Sequence, residues 1–360
     1  MAGTKNVPIR PCTSGVGALM RSIIDLQRQL VPDLVDTLRR RYAILHQVML
    51  SDMIGRRTLA ASLSMTERVL RAETDFLKEQ GLLEIKSSGM SISPAGRRLL
   101  EEMEPELGGL LGLSDLEEKL KQRFGLQKVI IVPGDSEKSD SAKRELGRAG
   151  AAALLQVLGE RDVVAVTGGT TLAGVASQLA SSSPRRSNLF VPARGGLGES
   201  LEYQASTIVS TMAKRTGAQY RMLHVPDHLS EEAYTSLMQE PGVKEIVEVI
   251  RSARIVIHGI GDAMVMARRR RIDSGLVDSL KADGALAEAW GYYFDRSGNV
   301  VHKMQTAGIR LEDIMTTEVV IGVAGGRSKA EAISAVLRFG HEDILVTDEA
   351  AALEIAALTE

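Results

Sequence analysis

Two kinds of hydrophobic pattern follow one another along this chain, and the change lies near Leu126. Before it, apolar residues recur at steps of three and four, which predicts amphipathic helices. The first such stripe consists of Leu34, Leu38, Tyr42, Leu45 and Met49. After it, short apolar runs alternate with helical stretches, as is typical of strands that a parallel sheet buries on both faces. These runs are Val129–Val132, Val163–Val166, Leu189–Val191, Arg221–Val225, Ile255–Ile257, Val319–Ile321 and Ile344–Val346.

The first part of the chain has the pattern of a winged helix-turn-helix. Leu59 and Leu63 predict a short helix, and a capping box at Ser64–Glu67 predicts the start of a longer helix that Gly81 ends. The buried stripe expected for the longer helix is Met65, Val69, Ala72 and Phe76, with Leu77 beside it. Two short runs on either side of Ser87–Gly89 then predict a β-hairpin, the wing.

The charge is divided unevenly, and this favours DNA as the partner of the first part. Residues 1–98 carry 15 Lys and Arg against 9 Asp and Glu, a net +6, whereas the whole chain has a net charge of −2. A basic head on an acidic body is expected where only the head meets a polyanion. A helix-turn-helix inserts its second helix into the major groove. A protein-binding module with a solvated basic face is the alternative.

The candidate DNA-contacting residues lie on the exposed side of the predicted motif. Arg68 and Arg71, one turn apart, are suited to guanine edges, and the basic residues before the first helix are suited to phosphates. The full set is Arg56, Arg57, Thr66, Glu67, Arg68, Arg71, Lys78 and Lys86.

Glycine turns directly follow several strands predicted in the second part. They are Thr167–Thr171, Arg194–Gly198, His258–Asp262 and Gly325–Lys329. A glycine turn before a helix lets backbone N–H groups approach an anion, and the helix N-terminus adds positive charge. In open α/β sheets such turns meet at the carboxyl ends of the strands. The four turns, with Arg194 and Lys329, therefore predict a pocket for a small phosphorylated ligand, although neither a dinucleotide fingerprint nor a P-loop is present.

A joint separates the two parts. Leu113, Leu116 and Leu120 share one helical face there, which fits either a short coiled-coil contact between two chains or a helix that packs on its own domain. The predicted organisation is a flexible tail at 1–25, a winged helix-turn-helix domain at 26–104, a linker helix at 105–125 and an effector-binding and oligomerisation domain at 126–360.

Composition excludes several classes of protein and site. Cys12 is the only cysteine, so neither an internal disulfide nor a thiolate metal cluster can form. His224 and His228 flank a proline and lack a third ligand, so no metal is predicted. No run approaches the roughly 18 apolar residues of a membrane span and no signal peptide is evident, so we expect a cytoplasmic protein. The aromatic run at 290–294 is expected in the core or at a subunit interface rather than stacked on a ligand.

Several unbroken stretches carry a family resemblance. They are residues 56–63, 166–171, 191–199, 291–294 and 324–333, and the likeness extends from about Leu26 to the C-terminus. The head resembles the SorC/DeoR-type bacterial regulators. The body resembles the SorC effector domain, which is related in fold to sugar-phosphate isomerases and deaminases such as glucosamine-6-phosphate deaminase. The longest stretches look closest to the regulators of glycolytic genes in Gram-positive bacteria.

The resemblance implies a fold, an effector and a set of contacts. The implied fold is α/β, with a winged helix-turn-helix before a Rossmann-type effector domain that has a mostly parallel sheet. The implied function is a repressor of glycolytic genes that fructose 1,6-bisphosphate releases from operator DNA. One phosphate would be held by Gly168, Gly169, Thr170, Thr171 and Lys329, the other by Arg194 and Arg269, and the sugar hydroxyls by Gln204 and Glu288. Since four arginines occupy 268–271, which of them faces the pocket is open.

Two other functions compete with this hypothesis. A regulator of the same family could respond to a different sugar phosphate. An isomerase or deaminase would need a general base, for which Glu288 and Asp262 are the candidates, but the Asp-Gly-His stretch of the deaminases is missing. We therefore expect no catalytic residues, no cofactor, and a homodimer or homotetramer on paired DNA half-sites.

Overall fold

The computed structural model describes residues 32–51, 53–63, 65–103, 112–196, 200–270 and 272–358. The tail predicted at 1–25 and the turn residues Leu197 and Gly198 lie outside them. Contacts divide the chain into two compact units, Met1–Ser114 and Asp115–Glu360. Among the described helices, none is long and apolar enough to cross a membrane.

The first unit contains the predicted helices and hairpin. Its elements are α1 (Pro32–Leu50), α2 (Arg56–Ser62), α3 (Glu67–Glu79), β1 (Leu83–Lys86), β2 (Gly89–Ile92) and α4 (Pro94–Met103). The two strands pair antiparallel, with Leu83 opposite Ile92 and Lys86 opposite Gly89. This order of helices followed by a two-stranded wing is that of a winged helix-turn-helix.

The start of α3 differs from the predicted capping box. The N-cap is Thr66, whose hydroxyl accepts a hydrogen bond from the backbone N–H of Val69. The helix therefore begins at Glu67, so the cap predicted at Ser64 was wrong, and Ser64 itself lies outside the described residues. Because the Thr66 hydroxyl satisfies one of the N–H groups that every helix start leaves without a partner, it stabilises the helix as well as being a candidate for DNA contact.

The buried face of α3 is also not the predicted one. Leu70 and Leu77 are 0% and 1% exposed, whereas Val69 and Phe76 are 42% and 37% exposed. Thr74, which lies between the two leucines in the sequence, is also buried. Its hydroxyl donates a hydrogen bond to the carbonyl of Arg71, which makes this burial possible for a polar side chain. The pattern treated this threonine as polar and so selected the wrong face.

The second unit is built on a seven-stranded parallel sheet. Its strands are β3 (Lys128–Val132), β4 (Val163–Val166), β5 (Leu189–Pro192), β6 (Gln219–Tyr220), β7 (Ile255–Gly259), β12 (Val319–Val323) and β13 (Ile344–Asp348). They lie in the order β3-β13-β12-β7-β4-β5-β6. The apolar runs predicted all of these strands except one: Arg221–Val225 is irregular, and the edge strand is instead Gln219–Tyr220.

Helices connect the strands and cover the sheet. They are α5 (Ser114–Phe124), α6 (Asp140–Val157), α7 (Thr170–Gln178), α8 (Ala205–Thr216), α9 (Glu231–Leu237), α10 (Pro241–Arg251), α11 (Ala263–Arg269), α12 (Ser274–Ala282), α13 (Leu311–Ile314), α14 (Ala330–Phe339) and α15 (Glu349–Ala357). The main core lies between one face of the sheet and α6, α7 and α8, where buried Ile, Val and Leu side chains meet small residues such as Ala151 and Ala176.

A second, antiparallel sheet follows the central strand β7. It consists of β8 (Gly261–Asp262), β9 (Ala287–Ala289), β10 (Tyr292–Phe294) and β11 (Val300–Lys303). The aromatic run at its centre is buried, as expected of core residues: Tyr293 and Phe294 are both 0% exposed. The sheet carries Glu288 on β9 close to the end of β7, since Gly261 pairs with Glu288.

The linker helix α5 packs on the second unit. Leu120 is 0% exposed. Arg123 donates hydrogen bonds to the carbonyls of Ile355 and Leu358, and Glu117 accepts one from the N–H of Ile131. Of the two possibilities left open by the sequence, the structure therefore shows a helix that packs on its own domain.

The order of the strands creates a crevice between β4 and β7. The chain proceeds from β4 to β5 and β6 on one side, and from β7 to β12 and β13 on the other. The connections after these two neighbouring strands therefore diverge. Such a topological switch point at the carboxyl ends of the strands is the usual ligand site of an open α/β sheet.

The corrected packing of α3 can be tested with a matched pair of substitutions. Leu70→Ala removes a fully buried side chain and is expected to destabilise the first unit by about 2–5 kcal/mol. Val69→Ala removes an exposed one and should cost less than about 1 kcal/mol. Hydrogen exchange of the α3 amides measures both, and equal effects of the two substitutions would contradict the assigned face.

Candidate effector-binding site

One cavity lies at the switch point and collects every residue that the sequence assigned to the effector. It is lined by the β4–α7 turn, by residues that follow β5 and β7, and by side chains from β9 and α11. The predicted residues found there are Gly168, Gly169, Thr170, Thr171, Arg194, Gln204, Arg269, Glu288 and Lys329. Three of the predicted glycine turns contribute backbone to this lining, while the turn after β12 contributes only Lys329.

The turn after β4 is shaped to bring backbone to a ligand. Gly169 has φ +119°, which favours glycine, and a Cβ on Gly168 would lie 2.8 Å from the carbonyl oxygen of Tyr203. Helix α7 starts directly afterwards at Thr170 with no side chain capping its first turn. The N–H groups of a first helical turn have no intrahelical partner and carry partial positive charge. The turn therefore provides an anion position, which we call the helix site.

Lys329 adds a cation to this cavity. Burial lowers its pKa, and the positive charge of Arg269 lowers it further, while Glu137 and Asp348 act in the opposite direction. A lysine whose charged form is disfavoured is stabilised when an anion approaches, because the anion restores the favourable interaction lost with water.

The glycine turn after β12 does not cradle a ligand. The N–H of Gly326 donates to Asp348, and the N–H of Ser328 donates to Glu137. The protein's own carboxylates thus occupy these backbone donors, and Gly325 and Gly326 do not line the cavity. The expectation that all four turns would converge on the ligand with their backbones was wrong for this one.

Four buried charged side chains that also line the cavity form a network. Arg194 contacts Asp227 at 2.8 Å and Glu288 at 2.9 Å, and Arg270 contacts the same two carboxylates at 3.0 and 2.9 Å. These side chains are 3–7% exposed. Two positive and two negative charges balance, which is the condition for burying ions without a large cost. We call this group the ionic network.

The pKa values of Glu288 and Arg270 reflect this pairing. Burial alone would raise the pKa of Glu288, but the charges of Arg270 and Arg194 lower it, so the carboxylate stays ionised. Burial would likewise lower the pKa of Arg270, yet Glu288 and Asp227 raise it. The N–H of Gly291 also donates to Glu288 at 2.8 Å. Gly291 has φ +90°, and a Cβ there would lie 2.9 Å from the guanidinium carbon of Arg194.

The sequence missed two members of the network and one aromatic wall. Arg269 lines the cavity as expected, but Arg270 does too, and it makes the buried ion pairs. Asp227 lies between His224 and His228, and no sequence pattern predicted it as a site residue. Trp290, expected in the core, is 1% exposed and also lines the cavity. Within the run of arginines at 268–271, the sequence does not indicate which arginine is buried.

The carboxylates considered for catalysis have other partners. Glu288 accepts hydrogen bonds from two arginines and a backbone N–H. Asp262 caps α11 by accepting from the N–H of Val265 at 2.8 Å. A general base needs an accessible oxygen within reach of a substrate proton, and the partners of both groups argue against that role. Among the described residues, no group of three or more candidate ligands could hold a metal ion.

The candidate DNA-contacting residues lie on α2, on α3 and its N-cap, and on the wing of the first unit. Arg68, Arg71 and Lys78 are exposed on α3. Arg56 and Arg57 do not precede α2 but open it, and they lie 3.7 Å from Asp75 and 3.6 Å from Glu67 respectively. On the wing, Lys86 lies 2.9 Å from Glu84. Exposed ion pairs of this kind are weak, so they leave the basic side chains available to phosphates.

Comparison with known sequences identifies both units. Residues 37–107 match the family described as "CggR N-terminal DNA binding domain", and residues 109–357 match the family "Putative sugar-binding domain". The "Central glycolytic genes regulator" of Priestia megaterium is 48% identical over 337 residues, which cover 93% of this chain and 98% of the relative. The protein of the same name from Bacillus subtilis is 45% identical over 336 residues, 93% of this chain and 99% of the relative.

Solved structures give the same result for the fold. A "putative SorC family transcriptional regulator" from Enterococcus faecalis is 41% identical with a TM-score of 0.63, covering 67% of this chain and 99% of that one. The full-length sorbitol operon regulator SorC of Klebsiella pneumoniae has a TM-score of 0.63 over 89% of this chain and 99% of that one, but its identity of 21% supports the fold alone. These relatives are named as transcriptional regulators, in agreement with the prediction that the chain is not an enzyme. With both of its domains matched, the chain belongs to the SorC-type transcriptional regulators, in the family of the central glycolytic genes regulators.

Proposed function

We propose that this protein is a repressor of glycolytic genes that binds operator DNA through its first unit and is released by fructose 1,6-bisphosphate. The observation that carries the proposal is a cavity whose lining combines two groups of cationic or N–H donors. One is the helix site with Lys329, and the other is Arg194 with the neighbouring arginines.

A doubly phosphorylated sugar matches this arrangement. The N–H groups of α7 and Lys329 would hold one phosphate, and Arg194 and Arg269 would hold the other. Gln204 and Glu288 lie in the same lining and would bond the sugar hydroxyls. A monophosphate would occupy only one of these two phosphate positions.

Release from DNA requires that the effector prefer the conformation with weak DNA affinity. A ligand shifts an equilibrium only by its differential affinity for the two states. A bisphosphate that holds elements on both sides of the crevice can favour one arrangement more strongly than a ligand held at one end. We propose that the protein acts as a homodimer or homotetramer on paired half-sites, so that the shift reduces cooperative binding.

A ligand titration tests the effector. A ligand that binds only the folded protein stabilises it by about 2.7 kcal/mol at 100 times its Kd, which raises the melting temperature by about 5–10 °C. Fructose 1,6-bisphosphate is expected to give this shift, while fructose 6-phosphate, glucose 6-phosphate, dihydroxyacetone phosphate and inorganic phosphate give less. A larger shift with a monophosphate would assign another effector, and no shift with any ligand would contradict the site.

Lys329→Met is expected to weaken bisphosphate binding by about 10- to 100-fold, because charged hydrogen bonds contribute about 1.5–3 kcal/mol. Operator binding without ligand should stay intact. Since burial lowers the pKa of Lys329, the unliganded variant should melt no lower than the parent protein. Lys281→Met, at an exposed lysine of the same unit, is the control. Unchanged ligand affinity in Lys329→Met would contradict the helix site.

Arg68→Ala and Arg71→Ala are each expected to weaken operator binding by about 1–3 kcal/mol if the side chain reads a base. Binding to random DNA should change little. Arg296→Ala, at an exposed arginine of the second unit, should leave both unchanged. Fluorescence anisotropy with operator and scrambled duplexes measures the difference. An equal loss on both duplexes would assign the arginine to phosphate contact instead.

A further inference from the structure

Asp227 has no role in the contacts proposed so far, yet it holds Arg194, which the second phosphate would need, together with the neighbouring Arg270. Its carboxylate oxygens lie 2.8 and 3.0 Å from a terminal nitrogen of Arg194 and 3.0 Å from Nε of Arg270. The Asp227 side chain is 4% exposed and lines the cavity. A carboxylate that accepts from two guanidinium groups occupies the same kind of donors that a phosphate uses.

The backbone around Asp227 places the carboxylate there. Its N–H donates to the carbonyl of Gly196 at 2.9 Å, and the N–H of Gly196 donates to the carbonyl of Val225 at 2.9 Å. These bonds fasten the segment that carries Asp227 beside the segment that carries Arg194. The ion pairs are thus built into the fold.

Asp227 and Glu288 differ in how firmly they are held. Glu288 lies on β9, which pairs with β8 on one side and β10 on the other, and its carboxylate also accepts from the N–H of Gly291. Asp227 lies in the irregular segment between β6 and α9, and the hydrogen bonds of its carboxylate come from the two arginines. Displacing the Asp227 carboxylate therefore breaks ion pairs alone, whereas displacing that of Glu288 also breaks a hydrogen bond to the backbone.

We propose that Asp227 is a specificity-determining residue that acts as an internal competitor for the second phosphate. Its carboxylate holds Arg194 and Arg270 until a phosphate tethered in the same cavity replaces it. The inference rests on the proposed function, because it concerns the second anion position of the same ligand.

Tethering explains why a free anion does not displace Asp227. A phosphate joined to a group already bound at the helix site acts at an effective concentration of millimolar or more. At neutral pH it also carries a charge of about −1.5 to −2, against −1 for the carboxylate. Free inorganic phosphate has the charge without the tether, and a sugar monophosphate at the helix site has no second anion. With Asp227 in place, only a ligand with two anionic ends is therefore expected to bind Arg194 and Arg270.

Asp227→Asn tests this directly, because it keeps the shape of the side chain and removes its charge. Trp290 is the only tryptophan of the chain and lines the cavity, so its fluorescence reports binding. We expect the variant to bind fructose 1,6-bisphosphate at least 10-fold more tightly than the parent protein and fructose 6-phosphate within about 2-fold. Asp278→Asn, at an exposed aspartate, should match the parent protein for both ligands.

Inorganic phosphate separates the two anion positions. Asp227→Asn leaves the buried arginines in excess, so the variant should melt at a lower temperature, and phosphate should restore much of the loss. In the Lys329→Met protein phosphate should give little shift, and adding Asp227→Asn should create one. If phosphate does not raise the melting temperature of the double variant, Asp227 does not compete with phosphate for the arginines.

A measurement on the unaltered protein remains if Asp227→Asn does not fold. Release of the carboxylate removes the ion pairs that hold its segment, so the Asp227 amide should exchange hydrogen faster with the bisphosphate bound than with fructose 6-phosphate bound. Equal exchange with both ligands would overturn the inference. If the unaltered protein responds to no sugar phosphate, the proposed function fails; if it responds and Asp227→Asn behaves identically, only the role of Asp227 fails.

Discussion

The second unit depends on a balance of buried charge at the carboxyl edge of its parallel sheet. Arg194 and Arg270 are held among Asp227 and Glu288 at 2.8–3.0 Å with almost no exposure to water. Removing any one of these charges would leave an excess buried charge of the opposite sign, which costs several kcal/mol. The surrounding backbone accommodates the group: Gly291 leaves space for the Arg194 guanidinium, and irregular segments after β5 and β6 bring the charges together.

The helix site and the ionic network differ in electrostatics, and this difference sets the order in which a ligand's two charges are expected to bind. The ionic network is neutral as it stands. On the helix side, α7 has no side-chain cap and the pKa of Lys329 is lowered by burial, so this side gains most from an incoming anion. A ligand is therefore expected to bind first at the helix site. Its second charge then acts on a network whose pairs are already satisfied, and that step requires rearrangement of the network.

Much of this arrangement could be predicted from local sequence because its causes are local. A strand followed by Gly168 and Gly169 and then a helix specifies an anion site within ten residues. The buried charged partners of Arg194 could not be predicted in this way. Asp227 contacts Arg194 and Arg270 across 33 and 43 residues of sequence, and nothing in the immediate sequence of Asp227 or Arg270 marks them. The buried face of α3 was predicted wrongly for a related reason. Thr74 can be buried because a hydrogen bond satisfies its hydroxyl, and a pattern of apolar residues does not include such a bond.

The fold alone leaves the choice of ligand open, since relatives with about 21% identity share the architecture and a fold supports many functions. Selectivity must therefore lie in side chains that the architecture does not require. The α7 N-terminus is part of the backbone and would accept any phosphate. The ionic network is made of side chains, and under the proposal its state would decide whether a second phosphate is recognised. A regulator that has to distinguish a doubly from a singly phosphorylated sugar gains this ability by making the second anion position conditional, and a buried carboxylate paired with the binding arginines is sufficient for that.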